Sequence, residues 1–454
     1  GTAPGLDVRS EGTLVNIVLT EEVPGGSGSW QLHSGFYGES PEYDGLLSYS
    51  NSAGIMNYLV SAEFGPYNRG SNEEQFEQYF APNGTLFELR DIDKPELNQE
   101  MVLNTSGNWS FDNGNILNLN ARIADKEEEE TETTIVTFVG DPNTENLLNL
   151  SLEDRREWEL GGDLENRVGA NGTLKTRLIY TDKTGDESEF VSLTSTVPGN
   201  VPAQSLVLTD EHATEAIIRS SYSWPLTASQ NLELGLEGAN NTLEKEVFLF
   251  EVLPDGTLDP VELFNSISDV EENRYEFFST HFWQMRDAIG LESALNVEYS
   301  RIEQTGIDVS NERSFTYIKP RFDLRWDLND STQVRGSLER TVSQLDFGDF
   351  VASFDSEDDT VDAGNPDLEP EKAWEWKFTW ERRLPEDAGV LEAQLFYNDI
   401  EDHIDKVAAT DVISAPGNIG DAELYGITLK GSWRLEPVGL EGAVIDLSYT
   451  WQDS

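Results

Sequence analysis

Residues able to act as acids, bases or nucleophiles are scattered along the chain without catalytic spacing. Cysteine is absent, which excludes disulfides, thiolate metal sites and cysteine nucleophiles. No glycine-rich phosphate loop or nucleophile elbow occurs. Paired carboxylates are uninformative in so acidic a chain. The histidines share no metal-ligand spacing and are His33, His212, His281 and His403. We therefore expect no enzymatic activity, no cofactor and no metal site.

Binding of a ligand by aromatic and charged side chains is the chemistry that the sequence favours. Aromatic rings in polar segments can stack on sugars or aromatic chelates, although such rings also pack the small core of a loop. Charged residues alternating with apolar ones can line an interior. The candidate ligand-facing residues are Phe76, Tyr79, Phe80, Phe248, Phe250, Phe347, Phe350, Asp323, Arg325, Glu375 and Lys377.

Composition narrows the class of protein. The 30 basic and 86 acidic residues give a formal charge of −56, which repels nucleic acid. Hydrophobic residues make up 37% of the chain, and no run approaches the ~20 apolar residues of a spanning helix. Neither a nucleic-acid-binding protein nor a helical membrane protein is expected. A membrane β-barrel stays possible, because only alternate residues of its strands meet lipid.

Alternation at period two dominates the chain and predicts an all-β protein. Phe322, Leu324 and Trp326 alternate with Asp323 and Arg325, so one face of this segment is apolar and the other is charged. The segments 374–380, 232–237, 117–123 and 391–397 repeat the pattern. We expect roughly seventeen strands of about ten residues, a length that crosses a bilayer at a tilt. Soluble β-sandwiches or a propeller fit the periodicity equally well.

Connection lengths and tryptophans favour a membrane barrel over those soluble folds. Short turns at 111–115, 168–173, 226–231, 327–332 and 383–389 tend to alternate with long polar connections. The long ones span 65–97, 124–146, 181–213, 240–272, 341–369 and 401–420. Outer-membrane barrels have short periplasmic turns and long extracellular loops. Trp224, Trp326, Trp380 and Trp433 lie near the short turns, as an interfacial aromatic girdle would place them.

One motif resembles a known family. Residues 363–373 read AGNPDLEPEKA, which is similar to the GNPxLxPE signature in the barrel of TonB-dependent receptors. Its prolines restrict the backbone, so the motif predicts a turned entry into the next strand. The signature residues are Gly364, Asn365, Pro366, Leu368, Pro370 and Glu371. The stretches LFYNDI (395–400), NIGDAELYGITL (418–429) and LSYTWQD (447–453) resemble later parts of the same barrel.

The resemblance implies a transmembrane antiparallel β-barrel of 22 strands that encloses an N-terminal plug. GTLVNIVLTEE (12–22) is similar to the end of that plug. We expect residues 1–23 to end the plug domain and residues 24–454 to form an incomplete barrel of about seventeen strands. The first of these strands is expected near Ser29. The rest of the plug, the segment that TonB binds and the last strands are expected to lie outside this chain.

The function that the resemblance implies is TonB-dependent uptake of a scarce nutrient across the outer membrane of a Gram-negative bacterium. The ligand would be a small molecule or an oligomer, such as a saccharide, a siderophore or other metal complex, or a peptide. Partners would be outer-membrane lipid and TonB, with a surface lipoprotein as a further candidate. A passive porin-like channel and a secreted acidic β-rich binding or adhesion protein are the alternatives.

The charge of the expected lumen indicates which ligands it would admit. Acidic side chains outnumber basic ones there, so an anionic iron chelate would be repelled and a neutral or cationic ligand favoured. The expected lumen residues are Glu233, Glu237, Asp323, Asp327, Glu339, Glu375 and Glu392 against Arg325, Arg335 and Lys377, and the loops add runs at 127–130 and 355–362. The acidity also fits mere solvation of long loops, nonspecific binding of divalent cations or a saline habitat.

Overall fold

The structure is a computed structural model that describes residues 25–37, 40–66, 73–263, 265–307, 309–355, 360–362, 364–408, 413–436, 439–440 and 442–454. The expected plug segment, residues 1–23, lies outside the described residues. No helix in the described ranges is long and apolar enough to cross a bilayer. Two short 3-10 turns lie at Phe347–Phe350 and Pro385–Asp387.

The strands are β1 (Ser27–Tyr37), β2 (Ser40–Ala53), β3 (Met56–Gly65), β4 (Glu73–Phe80), β5 (Leu86–Lys94), β6 (Glu96–Ser110), β7 (Ile116–Phe138), β8 (Thr144–Val168), β9 (Gly172–Ser195), β10 (Ala203–Thr227), β11 (Gln230–Val252), β12 (Leu258–Val261), β13 (Ile267–Arg286), β14 (Ile289–Gly306), β15 (Ser310–Asn329), β16 (Thr332–Val342), β17 (Ser353–Asp355), β18 (Thr360–Asp362), β19 (Lys372–Arg383), β20 (Gly389–Ala408), β21 (Ile413–Arg434) and β22 (Val444–Asp453).

Seventeen of these strands form one antiparallel wall in which each strand pairs with the next wall strand along the chain. The order is β1–β2–β3–β6–β7–β8–β9–β10–β11–β13–β14–β15–β16–β19–β20–β21–β22. The remaining five, β4, β5, β12, β17 and β18, lie in connections at one rim. The expected strand number and antiparallel all-β class are confirmed. In the described residues β1 pairs only with β2, and β22 only with β21.

The two faces of the wall differ as the alternation predicts. On β15, Phe322, Leu324 and Trp326 are each more than 40% exposed and share the outer face. In the paired register, Trp326 lies opposite Val334, which in turn lies opposite Trp380. Apolar side chains therefore form a continuous outer band, whereas the charged residues between them share the inner face. A band of this kind is the surface that lipid covers in an outer-membrane barrel.

Ten of the seventeen wall strands have 18 to 25 residues, which corrects the expected length of about ten, whereas β1, β3, β16, β19 and β22 have 10 to 12. β8 and β10 have 25 residues each, and β9 has 24. At about 3.3 Å per residue and a tilt near 40°, such a strand rises about 60 Å, against about 25 Å for the apolar band. Much of the expected connections 124–146, 181–213, 240–272 and 401–420 is therefore paired strand standing outside the membrane. The connections themselves are as short as 139–143 and 196–202.

The short turns and the tryptophans lie where the sequence placed them. The turns between β6 and β7, β8 and β9, β10 and β11, β15 and β16, and β19 and β20 all fall at the same rim. Near that rim Tyr222 stacks on Trp224, with ring centroids 5.1 Å apart. Trp109 and Trp283 lie on the outer face near the same rim, together with the four expected tryptophans. Directly paired residues share a face of the sheet, and these two pair with the outer-face residues Leu117 and Leu291. The girdle is thus wider than predicted.

Candidate ligand-binding vestibule

Residues 343–371 connect β16 to β19, and the part of them that the structure describes, 343–355, 360–362 and 364–371, folds back against the inner face of the wall. We call this segment the inward loop. Its Leu368 is fully buried and Phe350 is 2% exposed. One apolar cluster joins the inward loop to β11, β13 and β14 and consists of Leu243, Val270, Ile302, Leu345, Phe350, Val351 and Leu368. Burial of these side chains holds the loop against the wall, so it narrows the lumen at the rim opposite the short turns.

The first half of the GNPDLEPE signature (364–371) is held by close backbone packing. A Cβ atom on Gly364 would lie 2.3 Å from the carbonyl carbon and oxygen of Phe350, so only glycine fits there. Asn265 donates its side-chain N–H to the carbonyl of Gly364 at 3.2 Å. Asn365 donates from its side chain to the carbonyl of Pro416 at 2.8 Å, which ties the signature to β21.

The second half of the signature is held by side chains of the wall. Arg313 on β15 donates to the carbonyl of Leu368 at 2.6 Å, and its guanidinium lies 3.1 Å from Glu369. Asn418 both accepts from the N–H of Glu369 and donates to its carbonyl, each at 2.9 Å. The signature lies directly ahead of β19, in agreement with the expected turned entry into a strand. The contacts that anchor it to β15 and β21 are an additional finding.

Glu371, the last residue of the signature, contacts β20. Its carboxylate accepts from His403 on β20 and from the backbone N–H of Ile404. His403 thus tethers the end of the signature to β20. Asn265, Arg313 and His403 lie 32 to 99 residues from their partners in the signature. No local spacing in the sequence could have identified them, whereas Asn418 lies at the start of a stretch that resembles the family.

The four charged candidates of the expected site lie on the inner face. Asp323 and Lys377 occupy one register row with Ser337 between them, about 10 Å apart at the usual strand spacing. The guanidinium of Arg325 lies 3.1 Å from the carboxylate of Asp327, two residues along the strand. Lys377 contacts Glu375 at 3.2 Å. The structure thus brings these charges onto one wall, and their contact with a ligand stays a prediction.

Ion pairs compensate many of the cations on the inner face. Glu237 bridges Arg219 at 2.9 Å and Arg274 at 3.4 Å. Lys319 lies 2.8 Å from Glu276 and 2.6 Å from Glu298. Acidic residues outnumber basic ones, so after this pairing some carboxylates have no basic partner. The lining of the lumen therefore stays acidic.

The aromatic candidates occupy different places. Phe350 is buried in the inward loop, so its expected exposure to a ligand is wrong: the loop uses it as its own core. Phe347 is half-buried against the same cluster. Phe248 and Phe250 alternate with the inward-facing, buried Val247 and Leu249, so they lie on the outer face of β11.

The remaining aromatic candidates belong to the β4–β5 hairpin. Phe76 is 62% exposed and Phe80 is 55% exposed. The ring of Tyr79 lies 4.6 Å from the guanidinium carbon of Arg90, and its hydroxyl donates to Glu77. Phe76 and Tyr79 are three residues apart on β4, so their side chains lie on opposite faces of the hairpin. Their role in ligand capture stays a prediction.

Carboxylates crowd the inner face beyond the apolar band on β6 to β9. Glu96, Glu128 and Glu130 can each bring one oxygen within 4.8 Å of the others, which in the described ranges is the grouping closest to a cation site. Burial, followed by repulsion from Glu153 and Glu130, raises the pKa of Glu128. Burial and the charge of Glu153 likewise raise the pKa of Glu187. These side chains repel one another.

Together, the outer apolar band, the charged inner face and the inward loop define an outer-membrane-type β-barrel with a constricted vestibule. The family model described as TonB dependent receptor-like, beta-barrel matches residues 91–454. The chain therefore belongs to the TonB-dependent receptor β-barrel family, whose members are outer-membrane proteins that act as receptors rather than enzymes. No curated protein matches the chain.

Solved structures share the fold. The pyoverdine receptor FpvA of Pseudomonas aeruginosa PAO1, bound to pyoverdine, superposes with a TM-score of 0.66 at 14% identity, covering 95% of this chain and 62% of that one. The copper transporter OprC gives 0.61 at 14% identity, with coverage of 95% and 62%. The ferric-catecholate import receptor Fiu of E. coli K12 gives 0.60 at 10% identity, with coverage of 94% and 64%. The chain thus spans less than two thirds of the length of these receptors.

Proposed function

We propose that this barrel takes up a scarce nutrient across the outer membrane with energy transmitted by TonB. The observation that carries the proposal is the combination of a lipid-facing wall with the family signature folded into its lumen. The inward loop is anchored to β13, β14, β15, β20 and β21 and narrows the lumen, which favours a receptor over a freely open pore. The outer membrane has no nucleotide supply of its own, so concentrative uptake through such a barrel requires energy from the inner membrane.

The ligand that we propose is neutral or cationic, such as a saccharide, a peptide or a neutral metal complex. Among the structures of this fold, FpvA was solved bound to pyoverdine and OprC is a copper transporter. In this chain the inner wall keeps carboxylates without a counter-ion. Glu215 and Glu233, both inward-facing, make no ion pair or hydrogen bond within the described residues. An anionic chelate would enter a repulsive field.

Uptake measurements in cells with and without functional TonB test the mechanism. Accumulation of the nutrient should require both this receptor and TonB, and it should stop when the proton gradient of the inner membrane is collapsed. A passive channel would continue to equilibrate the nutrient in the strain that lacks TonB, and that result would refute the proposal.

Binding at low salt tests the ligand class separately. A neutral oligosaccharide and an anionic ferric chelate would be titrated into the purified receptor. Tighter binding of the anionic chelate would contradict the electrostatic argument and leave the TonB-dependent mechanism intact.

A further inference from the structure

A cavity of about 700 Å³ lies between the tip of the inward loop and the inner faces of β8, β9, β10 and β11. The tip contributes residues 344–348, among them Asp346 and Phe347. This volume lies within the range of small-molecule sites. The cavity opens into the lumen, because its wall residues are those of the inner face.

The cavity floor carries a row of hydrogen-bond acceptors in strict register. Glu159 on β8 pairs with Thr181 on β9, which pairs with Glu215 on β10, which pairs with Asn241 on β11. Neighbouring strands are about 4.8 Å apart, so the acceptors repeat at that interval and the two carboxylates lie about 10 Å apart. These four positions hold no basic residue, and Arg122 on β7, which is the next position in register beside Glu159, is paired with Glu100 at 3.1 Å and with Glu157 at 3.5 Å. The row therefore presents acceptors and negative charge to whatever occupies the cavity.

Asn241 supplies an independent indication of a ligand. The side chain is 6% exposed, and its carbonyl oxygen has no hydrogen-bond partner. Its amide nitrogen donates to Glu272 on β13 at 3.0 Å. Glu272 also accepts from Ser300 at 2.6 Å and can only accept while ionised, so the amide cannot be reversed without losing this bond. The orphaned oxygen of Asn241 thus belongs to a side chain that lines the cavity, and a buried acceptor without a donor is costly.

Basic side chains near the row are already engaged elsewhere. Lys183 lies 3.9 Å from Glu157, two residues along the strands from the row, and Lys245 lies 3.4 Å from Glu211, four residues along the strands from it. Glu215 has no such partner in the described residues. Glu159 accepts a single hydrogen bond, from Asn120 at 3.2 Å, and makes no ion pair there. The charge of the row is therefore not neutralised by the protein itself.

We propose that this cavity binds a small ligand carrying two or more protonated amines, which donate N–H groups to Glu159, Glu215 and the oxygen of Asn241. The inference rests on the proposed function and names its ligand class. A cation with several donors satisfies the orphaned oxygen and the uncompensated carboxylates together, whereas a neutral sugar would satisfy hydrogen bonds alone. Charge-assisted bonds of this kind are stronger than neutral ones.

The test is calorimetry on the purified receptor in detergent, with trilysine and triglutamate as probes at low and high salt. Trilysine should bind, and its affinity should fall as the salt concentration rises. Triglutamate should not bind. Glu215→Gln should weaken trilysine binding at least about tenfold, because it removes one charge-assisted contact. Glu246→Gln is the matched control: it removes the same charge on the outer face of β11, where Glu246 is exposed beside the inward-facing Val247, and should leave affinity unchanged.

Asn241→Leu provides a second variant, expected to weaken trilysine binding while preserving the heat-dependent gel mobility of a folded barrel. Absence of trilysine binding, equal loss in Glu215→Gln and Glu246→Gln, or binding of triglutamate as tight as that of trilysine would each overturn the proposal. Since calorimetry involves no TonB, these outcomes are independent of the uptake experiment. A receptor that transports through TonB but ignores trilysine would refute this inference alone.

Discussion

Leu368→Ala should release the inward loop without unfolding the barrel. Leu368 is fully buried in the cluster that joins the loop to the wall, and truncation of a buried leucine costs about 2–5 kcal/mol. The wall is held by separate backbone pairing along β11, β13 and β14, which the substitution leaves in place. The cost therefore falls on docking of the loop. A loss of about 3 kcal/mol raises the undocked population roughly a hundredfold.

Amide hydrogen exchange measures this effect at named positions. In the docked loop the N–H of Asn365 donates to the carbonyl of Asp349 at 2.8 Å, and that of Ala352 donates to Asn265 at 3.2 Å. Both amides should exchange roughly a hundredfold faster in Leu368→Ala, whereas the wall amides should keep their rates. Leu236→Ala, on the lipid-facing side, is the control and should change neither amide.

Two results would refute the reasoning. Unchanged exchange in the loop would mean that the hydrogen bonds of the signature, rather than burial of Leu368, hold it in place. Equal acceleration throughout the wall would mean that loop and wall unfold as one unit.

Three further predictions concern backbone packing, charge and lipid contact. Gly364→Ala should displace the 3-10 turn against which a Cβ would clash, and faster proteolytic cleavage of the inward loop would show it. The pKa of Glu128 and that of Glu187 are raised above the ordinary 4.5, so the stability that these groups contribute is full below about pH 4.5 and lost as pH rises through the higher folded value. Glu128→Gln should therefore raise the thermal stability at pH 7 and leave it nearly unchanged at pH 4. Leu395→Arg on the outer face should destabilise the barrel by about 2–4 kcal/mol in lipid, whereas Gln394→Arg on the inner face should not; equal effects in urea titrations would argue against the assigned faces.

The wall was predictable from the sequence wherever one of its faces meets lipid. Along β15, Phe322, Leu324 and Trp326 must all face the same apolar medium, so the period of two survives in the sequence. The strand extensions were not predictable, because both of their faces can meet water. On β7 the acidic run 127–130 carries no alternation, although it is paired strand throughout. Strand length was underestimated for that reason.

The site was predictable only in part. The signature is a local pattern that can be recognised by spacing, and its glycine and prolines restrict the backbone wherever they occur. Its anchors Arg313 and His403 could not be predicted from local spacing, because the curvature and register of the wall bring them to the signature. The same holds for the row from Glu159 to Asn241, whose members are 22 to 34 residues apart and become neighbours through three strand pairings.

The selectivity of the vestibule depends on local charge more than on the formal charge of −56. At 0.15 M salt, charges in solvent are screened beyond about 8 Å, so acidic residues elsewhere on a barrel tens of ångströms tall contribute little at any one point. Carboxylates inside a partly enclosed cavity are screened less. Ion pairs such as Glu237 with Arg219 and Arg274 cancel charge on the wall nearby, whereas Glu215 is left uncompensated among the described residues. Carboxylates without a basic partner therefore select the ligand by its charge, and they lie in the row from Glu159 to Asn241 beneath the tip of the inward loop.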